Sequence, residues 1–92
     1  MKFDLGQLVV TRGVNEFMSD NGMFTMHVST SLKRHMSGDW GELCDEDRVS
    51  NEAALLDGER LFSVYKKEGL PPIWIITEWD RSVTTVLFPD EY

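Results

Sequence analysis

His35 is the residue of this chain whose chemistry most readily suggests a reaction. It lies in the stretch RHMSGDWGEL, residues 34–43. An imidazole titrates near neutral pH and can act as a general base. At the end of a helix, the same side chain can instead carry a charge that meets the helix dipole. Because no nucleophile lies near it in sequence, the pattern favours a helix cap over a catalytic base.

The turn Asp80-Arg81-Ser82, followed by Thr84 and Thr85, is a second group that could bind a ligand. An arginine beside hydroxyl groups suits phosphate or carboxylate. The same residues also suit a tight hairpin turn and a strand, which is the interpretation we prefer. The sequence contains no phosphate loop and no zinc-protease or serine-hydrolase motif. We therefore predict neither a metal site nor a cofactor.

A tryptophan between two glycines follows His35, in the turn Gly38-Asp39-Trp40-Gly41. The glycines permit positive φ angles, Asp39 can close the turn with its side chain, and Trp40 can fill a gap between helices. Trp40 could instead be an exposed anchor, because tryptophan is common at binding hot spots. The local pattern favours the buried plug, with His35 capping or flanking the preceding helix.

Acidic residues concentrate in one segment of the chain. The formal net charge is −7, and residues 39–59 hold eight acidic side chains against Arg48 alone. Such a segment repels phosphate, which disfavours nucleic acid as a ligand, and it attracts a basic protein. A solvated helix face would explain the same acids. As a binding surface, the segment would use Asp39, Trp40, Glu42, Glu46 and Glu52.

The length of 92 residues predicts a single globular domain over residues 1–92. Cys44 is the single cysteine, which excludes an internal disulfide and a cysteine-rich zinc site. The start has no signal-peptide pattern, and no apolar run is long enough to cross a membrane. We expect a cytoplasmic protein that is not bound to a membrane.

The elements that must position these residues follow from the pattern of apolar side chains. Residues 23–36 suit either a helix, with Phe24, Val28, Leu32 and Met36 on one face, or a strand with alternating side chains; we favour the helix. His27 then takes a solvated or half-buried helix position. Further helices are predicted at residues 14–20 and 45–56, and strands at 6–11, 60–66, 73–79 and 83–88.

The fold class is predicted to be α+β, with helices packed on a three- or four-stranded, mostly antiparallel sheet. The last three strands follow one another through short turns and should form a C-terminal β-meander. Strand 73–79 is apolar on both faces and should be central, with Trp74 and Ile76 covered by the N-terminal strand, a loop or a second subunit. Helix 45–56 should turn Val49, Ala53 and Leu56 inward.

Two motifs, GDWG at residues 38–41 and ITEWDRSVTT at residues 76–85, occur with NEAALLDGER at residues 51–60 and with Tyr65. In this combination residues 32–92 resemble a family of small bacterial proteins borne on plasmids, prophages and integrative elements. Members carry labels such as plasmid-related or hypothetical protein. The resemblance implies a mobile-element context and brings no activity and no catalytic residues.

A helix ending in Arg34-His35, a second helix and a terminal meander occur in this order along the chain. The order is similar to that of the barnase/EndoU/RelE-like group of metal-independent ribonucleases. Those enzymes gather a histidine or other base with arginine, tyrosine and threonine around the scissile phosphate. The resemblance would assign these roles to His35, Arg60, Tyr65, Arg81 and Thr85.

We therefore predict a non-enzymatic accessory protein of a mobile genetic element that binds a protein partner through an acidic surface. A basic surface on that partner would be complementary. The alternative is a small ribonuclease-like domain, against which the acidic charge of the chain argues.

Overall fold

The computed structural model describes residues 2–92 and has an α+β fold, as predicted. Within residues 2–92, one strand comes first, three helices follow it, and three further strands come last. Their order is β1 (Gln7–Val10), α1 (Arg12–Asp20), α2 (Gly22–Met36), α3 (Asp45–Asp57), β2 (Leu61–Tyr65), β3 (Ile73–Thr77) and β4 (Val83–Leu87), followed by a short 3-10 helix at Pro89–Glu91.

The four strands form one sheet in the order β1-β4-β3-β2. The predicted meander is confirmed, because β2 pairs with β3 and β3 with β4, both antiparallel. β1 adds to the outer side of β4 in parallel orientation, which makes the sheet mixed. Parallel neighbours need a long crossover, and here all three helices lie in it.

Residues 23–36 are helical, which confirms the favoured alternative. Asn21 separates α1 from α2: its backbone is extended, and its side chain accepts a hydrogen bond from the Phe24 amide at 3.0 Å. This N-cap starts α2 at Gly22. The buried stripe of α2 consists of Phe24, His27, Val28, Ser31 and His35.

Leu32 and Met36, which were predicted on the core face of α2, are only partly buried. His27, predicted to be solvated or half-buried, is buried. The stripe is rotated towards polar residues because the sheet beneath the last two turns of α2 offers hydroxyl groups rather than apolar side chains.

Buried apolar side chains form two clusters under the sheet. The first core cluster lies beneath α1 and α2 and contains Val14, Phe24, Val28, Tyr65, Ile73, Ile75 and Val86. The second core cluster lies beneath α3 and the preceding loop and contains Trp40, Leu43, Ala54 and Leu61.

The outer face of β3 is partly covered. Ile76 is buried as predicted, but Trp74 is only partly buried. The Trp74 ring lies 5.0 Å from Phe62 and 5.5 Å from Tyr92, measured between ring centroids. Of the three covers predicted for this face, the N-terminal strand is excluded, because β1 extends the sheet sideways; the C-terminal Tyr92 contacts Trp74 there instead.

The orientation predicted for α3 is also wrong. Its buried residues are Asn51 and Ala54, whereas Val49 is 70% exposed and Leu56 is 89% exposed. Ala53, between them on the same face, is exposed as well. The helix turns its polar Asn51 inward because that side chain binds the backbone of the neighbouring strand, as described below.

Candidate functional site

His35 is completely buried and lies at the centre of a chain of hydrogen bonds between α2 and the sheet. Its Nδ1 lies 2.5 Å from the Ser63 hydroxyl, and its Nε2 lies 2.9 Å from the Thr77 hydroxyl. The Thr77 hydroxyl lies 2.7 Å from that of Thr84, which donates to the Leu5 carbonyl at 2.7 Å. Strands β2, β3 and β4 each contribute one of these hydroxyl groups.

The direction of the last hydrogen bond fixes all the others. Because Thr84 donates to a carbonyl, its oxygen accepts from Thr77, and Thr77 in turn accepts from His35 Nε2. Nδ1 is then the acceptor of the Ser63 proton. The network is complete with a neutral imidazole, and a second ring proton would force the Ser63 hydroxyl to turn away.

The electrostatics favour the same neutral form. Burial, together with the smaller effect of the positive charge of Arg81, lowers the pKa of His35 to about 4. The rings of Phe3 and Trp40 enclose the imidazole at centroid distances of 5.2 and 5.6 Å. His35 lies in the last turn of α2 as predicted, but its ring belongs to the core and does not cap the helix, because Ser37 is the C-cap of α2.

The GDWG turn covers the free edge of strand β2. Gly38 has a φ of 82° at the end of α2, and the Asp39 side chain accepts from the Gly41 amide at 3.2 Å. The Glu42 amide donates to the Val64 carbonyl at 2.8 Å, and the Val64 amide donates to the Trp40 carbonyl at 3.3 Å.

Gly41 is required in this turn for two reasons. Its φ of 74° is unfavourable for other residues, and a Cβ there would overlap the Val64 carbonyl. Trp40 is 2% exposed and stacks on Phe3 at 6.2 Å, so the predicted plug is confirmed. Its assignment to the binding surface is wrong, because a buried ring offers no contact to a partner.

The five residues of the ribonuclease alternative are not gathered around an open groove. Arg60 donates to the Tyr92 hydroxyl at 2.8 Å, and the buried Tyr65 donates to the Asp39 carbonyl at 2.5 Å. Thr85 lies on the face of β4 opposite Thr84, whose hydroxyl contacts the His35 network. His35, Arg60 and Tyr65 are thus committed to structural hydrogen bonds, and Thr85 lies on the other face of the sheet from His35.

Arg81 closes the end of α3 against the β3–β4 turn. Its guanidinium donates to the carbonyls of Ala54 at 3.0 Å, Glu59 at 2.5 Å and Glu78 at 3.1 Å. Its backbone has a φ of 60°, which is uncommon for a residue other than glycine. This arginine therefore has a structural role that its turn position did not indicate.

The acidic binding residues fall into two groups. Asp39 pairs with Arg34 through Arg34 Nε at 2.7 Å and Nη2 at 3.1 Å, and this hydrogen bond lowers the pKa of Asp39. Glu42 accepts from the Lys66 amide at 3.1 Å. Glu46 and Glu52 are exposed on α3, beside the apolar stripe of Val49, Ala53 and Leu56. We call the exposed side of α3 formed by these last five residues the α3 face.

Within residues 2–92, no three histidine, cysteine or acidic side chains are grouped so that they could hold a metal ion. None of the helices in that part of the chain has the length and apolar character needed to cross a membrane. Comparisons with protein-family models, curated proteins and solved structures found no match.

Sequence reasoning missed Asn51 as a key contact. Its side chain donates to the Phe62 carbonyl at 2.5 Å and accepts from the Phe62 amide at 3.2 Å, so it pairs with the β2 edge as another strand would. A lone asparagine in a helical pattern gives no signal of such a role. The available hint was that Asn51 lies opposite Val49, Ala53 and Leu56 on a helix whose two sides are both only weakly apolar.

Proposed function

We propose that the chain is a non-enzymatic accessory protein that binds another protein through the α3 face. The observation that carries this proposal is the exposure of Val49 and Leu56, at 70% and 89%, on a helix whose inner side is anchored by Asn51. Exposed apolar side chains in a row along one helix face are typical of a protein-binding surface. The inward orientation predicted from sequence would have hidden them.

Charge defines the partner that would fit. Glu46 and Glu52 lie on either side of the apolar stripe, and Asp45, Asp47 and Asp57 are exposed on the same helix. A complementary partner presents an apolar contact flanked by lysine or arginine. The acids would speed and orient the encounter, and the apolar stripe would supply the larger part of the affinity.

A mobile-element setting and a cytoplasmic location belong to this proposal. The mobile-element setting rests on the resemblance of residues 32–92. The ribonuclease alternative receives no specific support, because His35 is enclosed and hydrogen-bonded on both ring nitrogens.

The test compares surface variants of the full chain. Wild-type protein captures candidate partners from a lysate of the host, and each captured protein is then purified and measured directly by surface plasmon resonance. We expect Val49→Ser with Leu56→Ser to weaken binding by about tenfold or more, mainly through faster dissociation. Glu46→Lys with Glu52→Lys should slow association, with a steep dependence on salt.

Two controls match these changes. Asp4→Lys with Asp20→Lys alters the net charge equally at exposed positions outside α3, and Met26→Ser removes an apolar side chain with the same 70% exposure from α2. Both should leave binding within about twofold of wild type. If the controls weaken binding as much as the α3 variants do, or if the α3 variants have no effect, the α3 face is not the binding surface.

A further inference from the structure

A small groove lies between α2 and the residues that follow β2, and its lining is positively charged. Its volume is about 240 Å³. The side chains around it include Met26, His27, Ser31, Arg34, Lys66 and Lys67. Three of these six are basic residues, in a chain whose net charge is −7. Such a local reversal of sign needs an explanation other than solubility.

Two polar atoms of the groove-lining residues have no hydrogen-bond partner. They are Nε2 of His27 and Oγ of Ser31, one helical turn apart on α2. His27 is 8% exposed and Ser31 is 1% exposed. A buried polar atom without a partner destabilises the folded state. Two such atoms beside a cationic groove point to a ligand that completes their hydrogen bonds.

We propose that this groove binds a small phosphate-type anion, either free phosphate or the phosphate group of a monoester. Lys66, Lys67 and Arg34 would balance the charge, and the Ser31 hydroxyl would donate to a phosphate oxygen. Arg34 uses Nε and Nη2 for Asp39, which leaves Nη1 for a ligand. These groups offer more hydrogen bonds than the two oxygens of one carboxylate accept. A phosphate group has three terminal oxygens that can accept them.

The size of the groove limits the ligand. A volume of about 240 Å³ lies below the roughly 300–1,000 Å³ typical of sites for drug-sized molecules. It accommodates a phosphate group with a short organic substituent. Met23 and Met26 are exposed at its rim and offer an apolar contact to that substituent.

His27 connects ligand binding to protonation. Burial lowers the pKa of His27, as does the charge of Lys67 and, more weakly, that of Arg34; the Tyr65 carbonyl and Glu42 act in the opposite direction. With the ring anchored on the Tyr65 carbonyl, a bound anion beside Nε2 raises this pKa again and favours a second ring proton, which Nε2 donates to the ligand. Binding therefore takes up a proton and tightens as the pH falls.

Isothermal titration calorimetry of the full chain tests the site, with inorganic phosphate, phenyl phosphate and acetate as probes. We expect one phosphate per chain and little binding of acetate. Lys67→Ala should weaken phosphate binding by about tenfold. Lys33→Ala, which removes an exposed charge of α2 that does not line the groove, should change it by less than about twofold. Equal effects of the two variants, equal binding of acetate, or no saturable phosphate binding would overturn the proposal.

Ser31→Ala provides a readout that does not depend on a loss of charge. It removes a buried hydroxyl without a partner, so the free protein should melt at the same or a higher temperature while phosphate binding weakens. Sulfate, whose charge is constant between about pH 5 and 8, should bind more tightly as the pH falls in wild type but not in His27→Gln. A destabilised Ser31→Ala with unchanged phosphate affinity would show that the hydroxyl serves the fold instead.

Discussion

His35 connects α2 to β2 and β3 through its two ring nitrogens, and to β4 through the Thr77 hydroxyl. These hydrogen bonds explain why the imidazole is neutral. Its two ring nitrogens contact hydroxyl groups from residues 28 and 42 positions away in sequence. Partners so distant cannot be recognised from a single sequence, so the imidazole was assigned to the helix end. Trp40 could be predicted because its flanking glycines and Asp39 describe the turn locally.

The neutral state of His35 predicts how stability depends on pH. The pKa is about 6.5 in the unfolded chain and about 4 in the folded protein, so the unfolded state binds more protons between these values. The free energy of unfolding should therefore fall as the pH is lowered from 6.5 towards 4, by on the order of 3 kcal/mol in total. Urea unfolding followed by circular dichroism at several pH values measures this slope.

A pair of variants assigns the slope to one histidine. His35→Gln keeps one donor and one acceptor for the neighbouring hydroxyls but does not titrate, so most of the slope should disappear. The pKa of His27 is lowered in the same direction, so His27 also contributes to the slope. We expect this contribution to be the smaller one, so that His27→Gln retains the larger part of the slope. The carboxyl groups of Asp39, Asp80 and Glu91 also have lowered pKa values. Their contribution to stability is lost at lower pH, as the pH falls below their ordinary pKa range near 4. A His35→Gln protein with the wild-type slope would contradict the neutral assignment.

The edge of β2 is closed by side chains and a loop rather than by another strand. Asn51 satisfies both backbone groups of Phe62, the GDWG turn satisfies those of Val64, and Glu42 accepts from the Lys66 amide. Both backbone groups of Phe62 and Val64, and the amide of Lys66, thus have hydrogen-bond partners along this edge. An edge protected in this way is poorly suited to pair with another chain.

Asn51→Ala should therefore have two measurable effects. Loss of both side-chain hydrogen bonds leaves the Phe62 amide and carbonyl without partners and should lower the free energy of unfolding by about 2–3 kcal/mol. The opened edge should also promote self-association, visible as larger species in size-exclusion chromatography at high concentration. Ser50→Ala, at the exposed neighbouring position, serves as the control and should change neither quantity. A monomeric Asn51→Ala protein of wild-type stability would show that the amide contact is dispensable.

The elements that could be predicted from the sequence are those that depend on neighbouring residues. The meander followed from short turns between β-rich segments, which leave few alternatives. The parallel pairing of β1 with β4 was missed, because nothing within residues 7–10 indicates a partner more than 70 residues away. The predicted orientation of α3 is wrong because apolar periodicity indicated Val49 and Leu56 as the buried side, whereas Asn51 is buried through its hydrogen bonds to the backbone of β2.

Across the whole molecule, the helices contribute unequally to the two core clusters. The first core cluster draws on both α1 and α2 and five further side chains packed against it, including Val10 and Phe88. α3 contributes only Ala54 to the second core cluster, with Leu55 partly buried beside it. Most of the remaining residues of α3 are exposed, and its C-terminus is held by Gly58 and Arg81.

This difference predicts that α3 opens without the rest of the fold. Helices with few buried contacts unfold locally at a lower free energy than the core strands. In native-state hydrogen exchange measured by NMR, amides in the middle of α3 should exchange at least about tenfold faster than those of α2 and β3, and with less dependence on urea. Equal protection of α3 and β3 would mean that the protein unfolds only as one cooperative unit.

Ala54→Gly and Ala53→Gly locate the contact that keeps α3 in place. Both changes lower helix propensity by about 1 kcal/mol, but only Ala54 is buried, at 4% exposure. Ala54→Gly should therefore accelerate amide exchange in α3 more than Ala53→Gly does. Neither variant should change the exchange rates of β3 amides, except of those that exchange only through global unfolding. If the two variants behave alike, burial of Ala54 in the second core cluster adds nothing to the propensity of the helix, and polar contacts such as those of Asn51 and Arg81 hold α3 in place.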